Sequence, residues 1–419
     1  MAVRRVHTTG KTLNNLINKF FIAIILSAIS LSVLASGFRL PESSISGMAL
    51  SNAVVANPET AGALIYNPAL MSAQIEPRVL NLGIINIAHD AKVTPDAGTP
   101  ADSKGADSVL LPAFYYMANI NNQLTWGLGL NAPFGLEIKW PDETFASFAG
   151  AADPLEPEKS KLEVVNLTPN IAYKIDSKSS FAFGINYYIV RELAFNTQAV
   201  EINADGKDYG YTLAYQYHDG PWSAGATYRS SVDTRVKGDI SAGGLTGDVE
   251  ADIEFPSMLQ VGIRNKVNSY LAIEFDIERT YWSSFDNVEI RHNHPGVPNP
   301  INNTNNWKDT NAYRLGVTYF FNSQTQLHFG YSRDDTPQPD KHFSARIPDA
   351  DRQLISAGIS HNIDKEWTID GGIMFVIFED RTIQNTTAFT GGEANGTTAY
   401  NGKYESEALV IGIGISKTF

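Results

Sequence analysis

The sequence predicts an all-β membrane protein: a transmembrane β-barrel of about 14 antiparallel strands, plugged by a small amino-terminal helical hatch. Three observations carry this. The stretch Glu405 to Phe419 alternates and ends the chain on an aromatic residue. Ile411, Ile413, Ile415 and Phe419 share one parity, while Gly412, Gly414 and Ser416 share the other. Period-two alternation recurs from Arg78 to the end of the chain. The chain also opens on an export signal.

Residues 1–35 form that signal. Arg4, Arg5, Lys11 and Lys19 make a basic lead, Phe20 to Leu34 an apolar core, and Val33-Leu34-Ala35 a small-residue cleavage site, so the mature chain is expected to begin at Ser36. No later stretch reaches the roughly 18 continuous apolar residues that a spanning helix needs. A mean hydropathy of −0.17 reads as soluble, but barrels escape hydropathy because only alternate residues meet lipid. There is no cysteine, which excludes disulfides and thiolate metal sites. Residues 1–35 hold four Lys/Arg and no Asp/Glu, so their removal takes the net charge from −13 to −17. That balance argues against nucleic acid, whose recognition needs a basic face.

Strands are expected over 79–92, 107–120, 124–136, 161–174, 180–200, 209–217, 222–238, 247–267, 269–291, 309–321, 325–335, 352–363, 367–384 and 405–419. Parity is clean in several. Phe181, Phe183, Ile185, Tyr187 and Ile189 oppose Ala182, Gly184 and Asn186, and Tyr313, Leu315 and Val317 oppose Arg314, Gly316 and Thr318. Connections alternate between long (93–106, 137–160, 239–246, 292–308, 336–351, 385–404) and short (121–123, 218–221, 322–324, 364–366), with 201–208 unusually short for its side. Long extracellular loops and short periplasmic turns fit a barrel of the outer membrane, and an even strand number puts both termini in the periplasm. No linker divides residues 78–419, so they read as one barrel domain.

Residues 36–77 do not alternate. They are rich in small residues, carry turns at Asn57-Pro58 and Asn67-Pro68, and include Leu50, Val54, Val55, Leu64, Ile65, Leu70 and Met71, too apolar for a disordered tail. A lumen of this size leaks unless it is filled, so this segment is expected to fold back as the hatch.

Here the residues resemble a known family. Gly37-Phe38, Ser43-Ser44-Ile45-Ser46-Gly47, Asn67-Pro68-Ala69-Leu70, Ala132-Pro133-Phe134-Gly135-Leu136 and Thr227-Tyr228-Arg229-Ser230 are similar to the FadL family of outer-membrane transporters for long-chain fatty acids and other hydrophobic compounds. Trp307-Lys308-Asp309, Tyr313-Arg314-Leu315-Gly316, Asp335-Thr336-Pro337 and Arg346-Ile347-Pro348-Asp349 with Asp351-Arg352 extend the match in order. The resemblance implies a 14-stranded barrel plugged by a hatch. It also implies an outer hydrophobic groove, a tighter internal pocket beside the mature amino-terminus, and sideways exit through a gap at a kink in the third strand. It places the pocket and hatch residues at Ser36, Gly37, Phe38, Arg39, Asn67, Pro68 and Ala69, and the lateral gate at Ala132, Pro133, Phe134 and Gly135. Lys308 and Arg346 are candidate head-group contacts.

Physical chemistry gives the kink a reason of its own. Pro133 cannot donate to a sheet ladder and Gly135 offers no side chain, so a mid-barrel strand carrying both should bulge or break. The same two residues would also serve to end the strand at the outer rim. Asn67-Pro68-Ala69 reads equally as a rigid turn or as a moving part of the hatch.

Catalytic and metal chemistry find little support. Eight histidines are present but no GxSxG elbow accompanies them. His292 and His294 have metal-compatible spacing without further ligands, and His89 and His328 read as polar lumen residues. Asp248, Glu250, Asp252 and Glu254 share one parity, as do Glu274, Asp276 and Glu278. All seven are expected to face the lumen as an acidic wall countered by Arg264 and Arg314, with calcium binding the less favoured reading. No enzyme activity, cofactor or metal is expected. The expected partners are a long-chain fatty acid or other hydrophobic small molecule, outer-membrane lipid and lipopolysaccharide, and the barrel assembly machinery. Transport of aromatic hydrocarbons, a general porin and a surface-adhesion barrel are the alternatives.

Overall fold

The computed structural model describes residues 37–74, 76–106, 108–148 and 156–419. The expected signal segment and Ser36 lie outside the described residues. Fourteen antiparallel strands close into a barrel. The first six are β1 (Arg78–Pro95), β2 (Val109–Asn119), β3 (Leu124–Lys139), β4 (Pro157–Lys174), β5 (Ser179–Thr197) and β6 (Val200–Asp219). Three interrupted strands follow: β7 (Trp222–Arg229, continued by Val232–Ala242), β8 (Leu245–Phe255, continued by Met258–Asn268) and β9 (Leu271–Thr280, continued by Asn287–His292). The last five are β10 (Thr310–Phe320), β11 (Thr325–Asp334), β12 (Arg352–Asn362), β13 (Trp367–Phe378) and β14 (Gly402–Thr418). Closure runs between β1 and β14, from Val79 opposite Thr418 to Pro95 opposite Gly402.

The period-two pattern explains the wall. Phe181, Phe183 and Ile185 of β5 stand on the outer surface, and Ala182 and Asn186 are buried within. Ile411 and Ile413 of β14 face outward, while Gly412 and Gly414 face Ile45 of the hatch. The short turns share one construction. Asn121, Asp176, Asn322 and Asp364 each accept, on one side-chain oxygen, the backbone N–H groups two and three residues later, at 2.7 to 2.9 Å. Arg78 and Phe419 meet at this same end, where the Phe419 N–H donates to the Arg78 carbonyl at 3.1 Å.

Three expectations are corrected. Residues 201–208 are not a loop but part of β6, and the reversal falls at Gln198-Ala199. Residues 239–246 are a tight hairpin turning at Gly243 and Gly244, both with positive φ. Asp248, Glu250, Asp252 and Glu254 point away from the lumen. Val249, Ala251, Ile253 and Phe255 are buried inside instead. The ladder breaks between Phe255 and Met258, after which even-numbered residues such as Gln260 and Arg264 face inward. A shift of one position exchanges the two faces of a strand, and Pro256 supplies the break. The outward acids pair with bases on neighbouring strands: Asp252 lies 2.8 Å from Arg235 and 3.0 Å from Arg291, and Glu250 lies 3.3 Å from Arg291.

Inside the barrel the hatch folds as α1 (Ile45–Ala49), capped by the Ser44 hydroxyl accepting from the Gly47 N–H, followed by 3-10 turns over Ala61–Ile65 and Pro68–Ala73. The lower wall makes room for it with glycine. A Cβ on Gly225, Gly330 or Gly358 would collide with Val55, the Leu50–Ser51 peptide or Ala49 respectively.

Candidate functional site

The hatch begins against β3. Pro133 has no N–H to offer, and the ladder between β3 and β4 slips there: Asn131 sits opposite Asn166 and Phe134 opposite Val164, leaving Ala132 and Pro133 against one residue. On its other side β3 loses its neighbour altogether. Pairing with β2 runs from Asn119–Thr125 to Phe114–Leu130 and stops. Val109 to Ala113 pair only with β1, and Pro112 among them also lacks a donor. The hatch fills the vacant edge. Leu40 N–H donates to Pro133 O at 2.9 Å, Gly135 N–H donates to Phe38 O at 3.0 Å, and Arg39 bridges Phe134 in antiparallel sense. Backbone groups freed in the wall are thus satisfied by plug backbone.

A cavity of about 380 Å³ lies at this junction. The hatch residues Phe38 and Leu40, the β2 residues Leu110 and Leu111, and the β3 residues Ala132 and Leu136 contribute to its walls. Leu110 is 61% exposed on the outer surface, so the cavity meets the outside of the barrel where the ladder is missing. The Phe38 ring is buried among others: its centroid lies 4.6 Å from Trp282, 5.3 Å from Phe285, 5.5 Å from Trp307 and 5.9 Å from Phe134. The contacts with Trp282, Phe285 and Phe134 are edge-to-face, and such contacts add about 0.5–1.5 kcal/mol each beyond burial. Gly37 precedes it at φ +62, with the Trp307 ring 2.7 Å from where a Cβ would stand. Only glycine fits both the backbone and the space.

The wall holds the rest of the hatch with carboxylates. Asp276 accepts the N–H groups of Val54 and Val55, both at 3.0 Å, and Glu274 accepts that of Ala56 at 2.7 Å. Glu278 takes Arg39 at 2.8 Å and Arg314 at 3.3 Å. Arg314 continues to Asp334 at 3.5 Å, and Arg352 reaches the same Asp334 at 3.6 Å. The inward acids of β9 are therefore acceptors for plug backbone and plug arginine, a role that sequence parity located but could not assign. Arg264, expected to counter the acidic wall, makes its ion pair with Glu59 of the hatch.

The remaining candidate residues are dispersed. Asn67 is buried away from the cavity. It caps the following turn by accepting from the Ala69 N–H at 3.0 Å and donates to Val55 O at 2.7 Å and to Tyr215 O of β6 at 3.1 Å. Lys308 is exposed and lines neither this cavity nor a second one among the long loops. Arg346 lines the second. His292 and His294 spend ring nitrogens on the carbonyls of Pro298 (2.9 Å) and Ala242 (3.1 Å). Among the described residues no cluster of three His, Cys, Asp or Glu could hold a metal ion. His328 lies 2.9 Å from the Ser360 hydroxyl, but the acid, Asp370, takes the serine rather than the histidine, the reverse of a hydrolase triad.

Comparison with known proteins agrees with this architecture. A long-chain fatty acid transport protein of Escherichia coli K12 is 26% identical over 423 aligned residues, which cover 86% of this chain and 92% of that protein. The crystal structure of a Pseudomonas aeruginosa FadL homologue superposes with a TM-score of 0.78 at 18% identity, covering 92% of this chain and all of that one. The Pseudomonas putida toluene transporter TodX superposes at 0.70 and 18% identity, covering 93% of this chain and all of that one. The family described as outer membrane protein transport protein (OMPP1/FadL/TodX) matches residues 26–419, and this chain belongs to it.

Proposed function

We propose that this outer-membrane transporter of hydrophobic compounds carries long-chain fatty acids, and releases them sideways through the β2–β3 gap. The observation that carries the reading is one coincidence of position. The start of the hatch, a mostly apolar cavity and the end of the β2–β3 ladder at Phe114–Leu130 all meet at Ala132–Gly135. An acyl chain entering the cavity gains about 0.8 kcal/mol per buried methylene, enough to bind without specific contacts. To pass, it displaces the Phe38–Leu40 segment from β3, and the vacated edge opens between Leu110 and Leu136 toward lipid. No energy source is needed, because the chain moves from one apolar medium to another. The short turns and the chain end face the periplasm in this reading, and the long loops face outward. The name of the Escherichia coli relative supports the choice of substrate.

Aromatic hydrocarbons by the same route are the second reading, favoured by the rings of Trp282, Phe285, Trp307 and Phe134 around Phe38.

The experiment is uptake of labelled palmitate, and separately of toluene, by cells lacking their own transporters. The comparison variant deletes Pro133. Gly127, Gly129 and Asn131 face inward below the bulge, and Phe134 and Ile138 above it, so removing one residue restores a single unbroken alternation. Uptake that collapses in a folded deletion variant supports lateral exit. Undiminished uptake removes the gate, and no uptake of either compound by the native chain removes the transport reading.

A further inference from the structure

Beside the mouth of the β2–β3 gap, the outer wall carries a polar pair in an aliphatic setting. Asn86 of β1 has the outward parity of Leu82 and Ile84, both exposed. Its cross-strand neighbours are Ile411 of β14 and Leu110 of β2, also outward and exposed. The Asp90–Lys92 ion pair comes only later along the strand. The Ser108 hydroxyl donates to Asn86 Oδ1 at 3.0 Å. Among the described residues the Asn86 side chain makes no other hydrogen bond, so both Nδ2 donors and a second lone pair on Oδ1 are open. An amide among lipid-facing aliphatic side chains is costly, and a wall that keeps one has a use for it.

The pair adjoins the cavity at the hatch start. Ile87, Ser108 and Leu110 line that cavity. Asn86 touches on all three: Ile87 in sequence, Leu110 across the ladder and Ser108 through its hydrogen bond. The Lys and Arg side chains of the cavity lining already have carboxylate partners. Arg39 lies 2.8 Å from Glu278, Lys161 2.7 Å from Glu192, Arg191 2.8 Å from Glu163 and Arg352 3.6 Å from Asp334. A carboxylate moving from here into hydrocarbon would leave every counter-charge behind. The cost is so large that the group takes up a proton from water instead. A neutral carboxyl presents one donor and one acceptor, and a primary amide presents the complement.

We propose that Asn86, oriented by Ser108, is an exit subsite on the outer wall, where the head group of a departing long-chain acid is held as a neutral carboxyl before it enters lipid. Nδ2 donates to the carbonyl of the acid and Oδ1 accepts from its hydroxyl, while the alkyl chain lies in hydrocarbon beyond Leu110. The subsite rests on the lateral-exit reading above and divides its cargo into two kinds. An acid uses the amide, whereas an alkane has nothing to bond there and passes without it.

The test is uptake of labelled palmitate and of labelled hexadecane by cells lacking their own transporters. Asn86→Leu removes the amide and continues the aliphatic surface around it. It is expected to slow palmitate roughly three- to tenfold, as the loss of one or two ordinary hydrogen bonds would, and to leave hexadecane unchanged. Asn86→Gln returns an amide and should recover part of the palmitate rate. Should Asn86→Leu fail to assemble, Ser108→Ala lies just before the first residue of β2 and is expected to slow palmitate alone, by a smaller factor. Palmitate uptake unchanged in these variants overturns the proposal. Hexadecane slowed to the same extent also overturns it, because Asn86 would then shape the wall rather than hold a head group. Failure of the lateral-exit reading shows separately, as undiminished uptake in the Pro133 deletion, and failure of transport as uptake of neither compound by the native chain; either removes the subsite as well.

Discussion

Arg39 of the hatch and Phe134 of β3 face each other in an antiparallel bridge, flanked by the hydrogen bonds Leu40 N–H to Pro133 O and Gly135 N–H to Phe38 O. Three plug residues thereby take the place of the missing β2 partner. The Phe38 ring fixes this arrangement, because it is the side chain that anchors the segment in the aromatic cluster. Phe→Ala in a packed core costs about 3–5 kcal/mol. Here that cost falls on local docking of the hatch start, since the barrel ladders do not depend on it. Phe38→Ala is expected to speed hydrogen exchange at the Leu40 and Gly135 amides while leaving the melting temperature of the barrel unchanged. Unchanged exchange at both amides would show that the backbone bridge holds without its anchor.

Asp276 carries two hatch N–H groups at once, those of Val54 and Val55. Asp276→Leu keeps the approximate volume and removes the one carboxylate oxygen that accepts both, and each buried donor left unpaired costs about 1–3 kcal/mol. The hatch should loosen around α1 and the lumen should leak. Planar-bilayer conductance is the readout: frequent openings are expected in the variant and a quiet baseline in the native chain. A quiet variant would mean that the glycine-lined packing alone seats the plug.

The sequence made the lower barrel legible because lipid outside and a plug inside keep large apolar residues outward, as in β5 and β14. Above the membrane the rule inverts. Val200, Ile202 and Ala204 of β6, and Val249, Ala251 and Ile253 of β8, turn inward onto an apolar interior while Glu201, Asn203 and Glu250 meet water. Read with one rule throughout, residues 201–208 look like a loop and Asp248 to Glu254 like an acidic lumen. Pro256, in mid-strand, was the available sign of the switch. The role of Glu274 and Asp276 was hidden for a different reason: their partners are backbone amides some 220 positions away in the chain, which side-chain patterns do not record. The bulge at Pro133 was legible because proline states its own limitation.

The long loop between β11 and β12 should respond to pH. Burial raises Asp335 to about 6 and Asp351 to about 7, with Asp334 and Glu379 respectively adding like-charge repulsion, and burial raises Asp349 as well. Asp349 accepts the Gly37 N–H at 3.0 Å, so this loop holds the very start of the described hatch. A carboxyl whose folded pKa lies above its unfolded value binds its proton more tightly in the folded state. Its contribution is fully present below the unfolded value of 3.8 and is lost as pH rises through about 6 to 7. The loop and the hatch start are thus expected to be better protected at pH 5 than at pH 8. Limited proteolysis of residues 335–351 at the two pH values, with Asp351→Asn expected to flatten the difference, checks the sign. Greater protection at pH 8 would contradict it.

Gly225 of β7 tests how closely the wall is cut to the plug. It faces inward, and a Cβ there would overlap the Val55 carbonyl, with the Asn67 amide nitrogen 2.9 Å away. That carbonyl cannot swing aside cheaply, because it accepts from Asn67 at 2.7 Å, and its neighbour Ala56 is tied to Glu274. Gly225→Val therefore forces a choice between displacing the plug and bending the wall. The wall is the stiffer of the two, since Gly225 pairs with Gln216 on one side and Gly262 on the other. The barrel should assemble normally, with unaltered heat-dependent migration on a denaturing gel, while protease reaches the hatch near Val55 from the short-turn end. A variant that assembles with its hatch still protected would mean that β7 yields instead, and that the glycine slot is not what positions the plug.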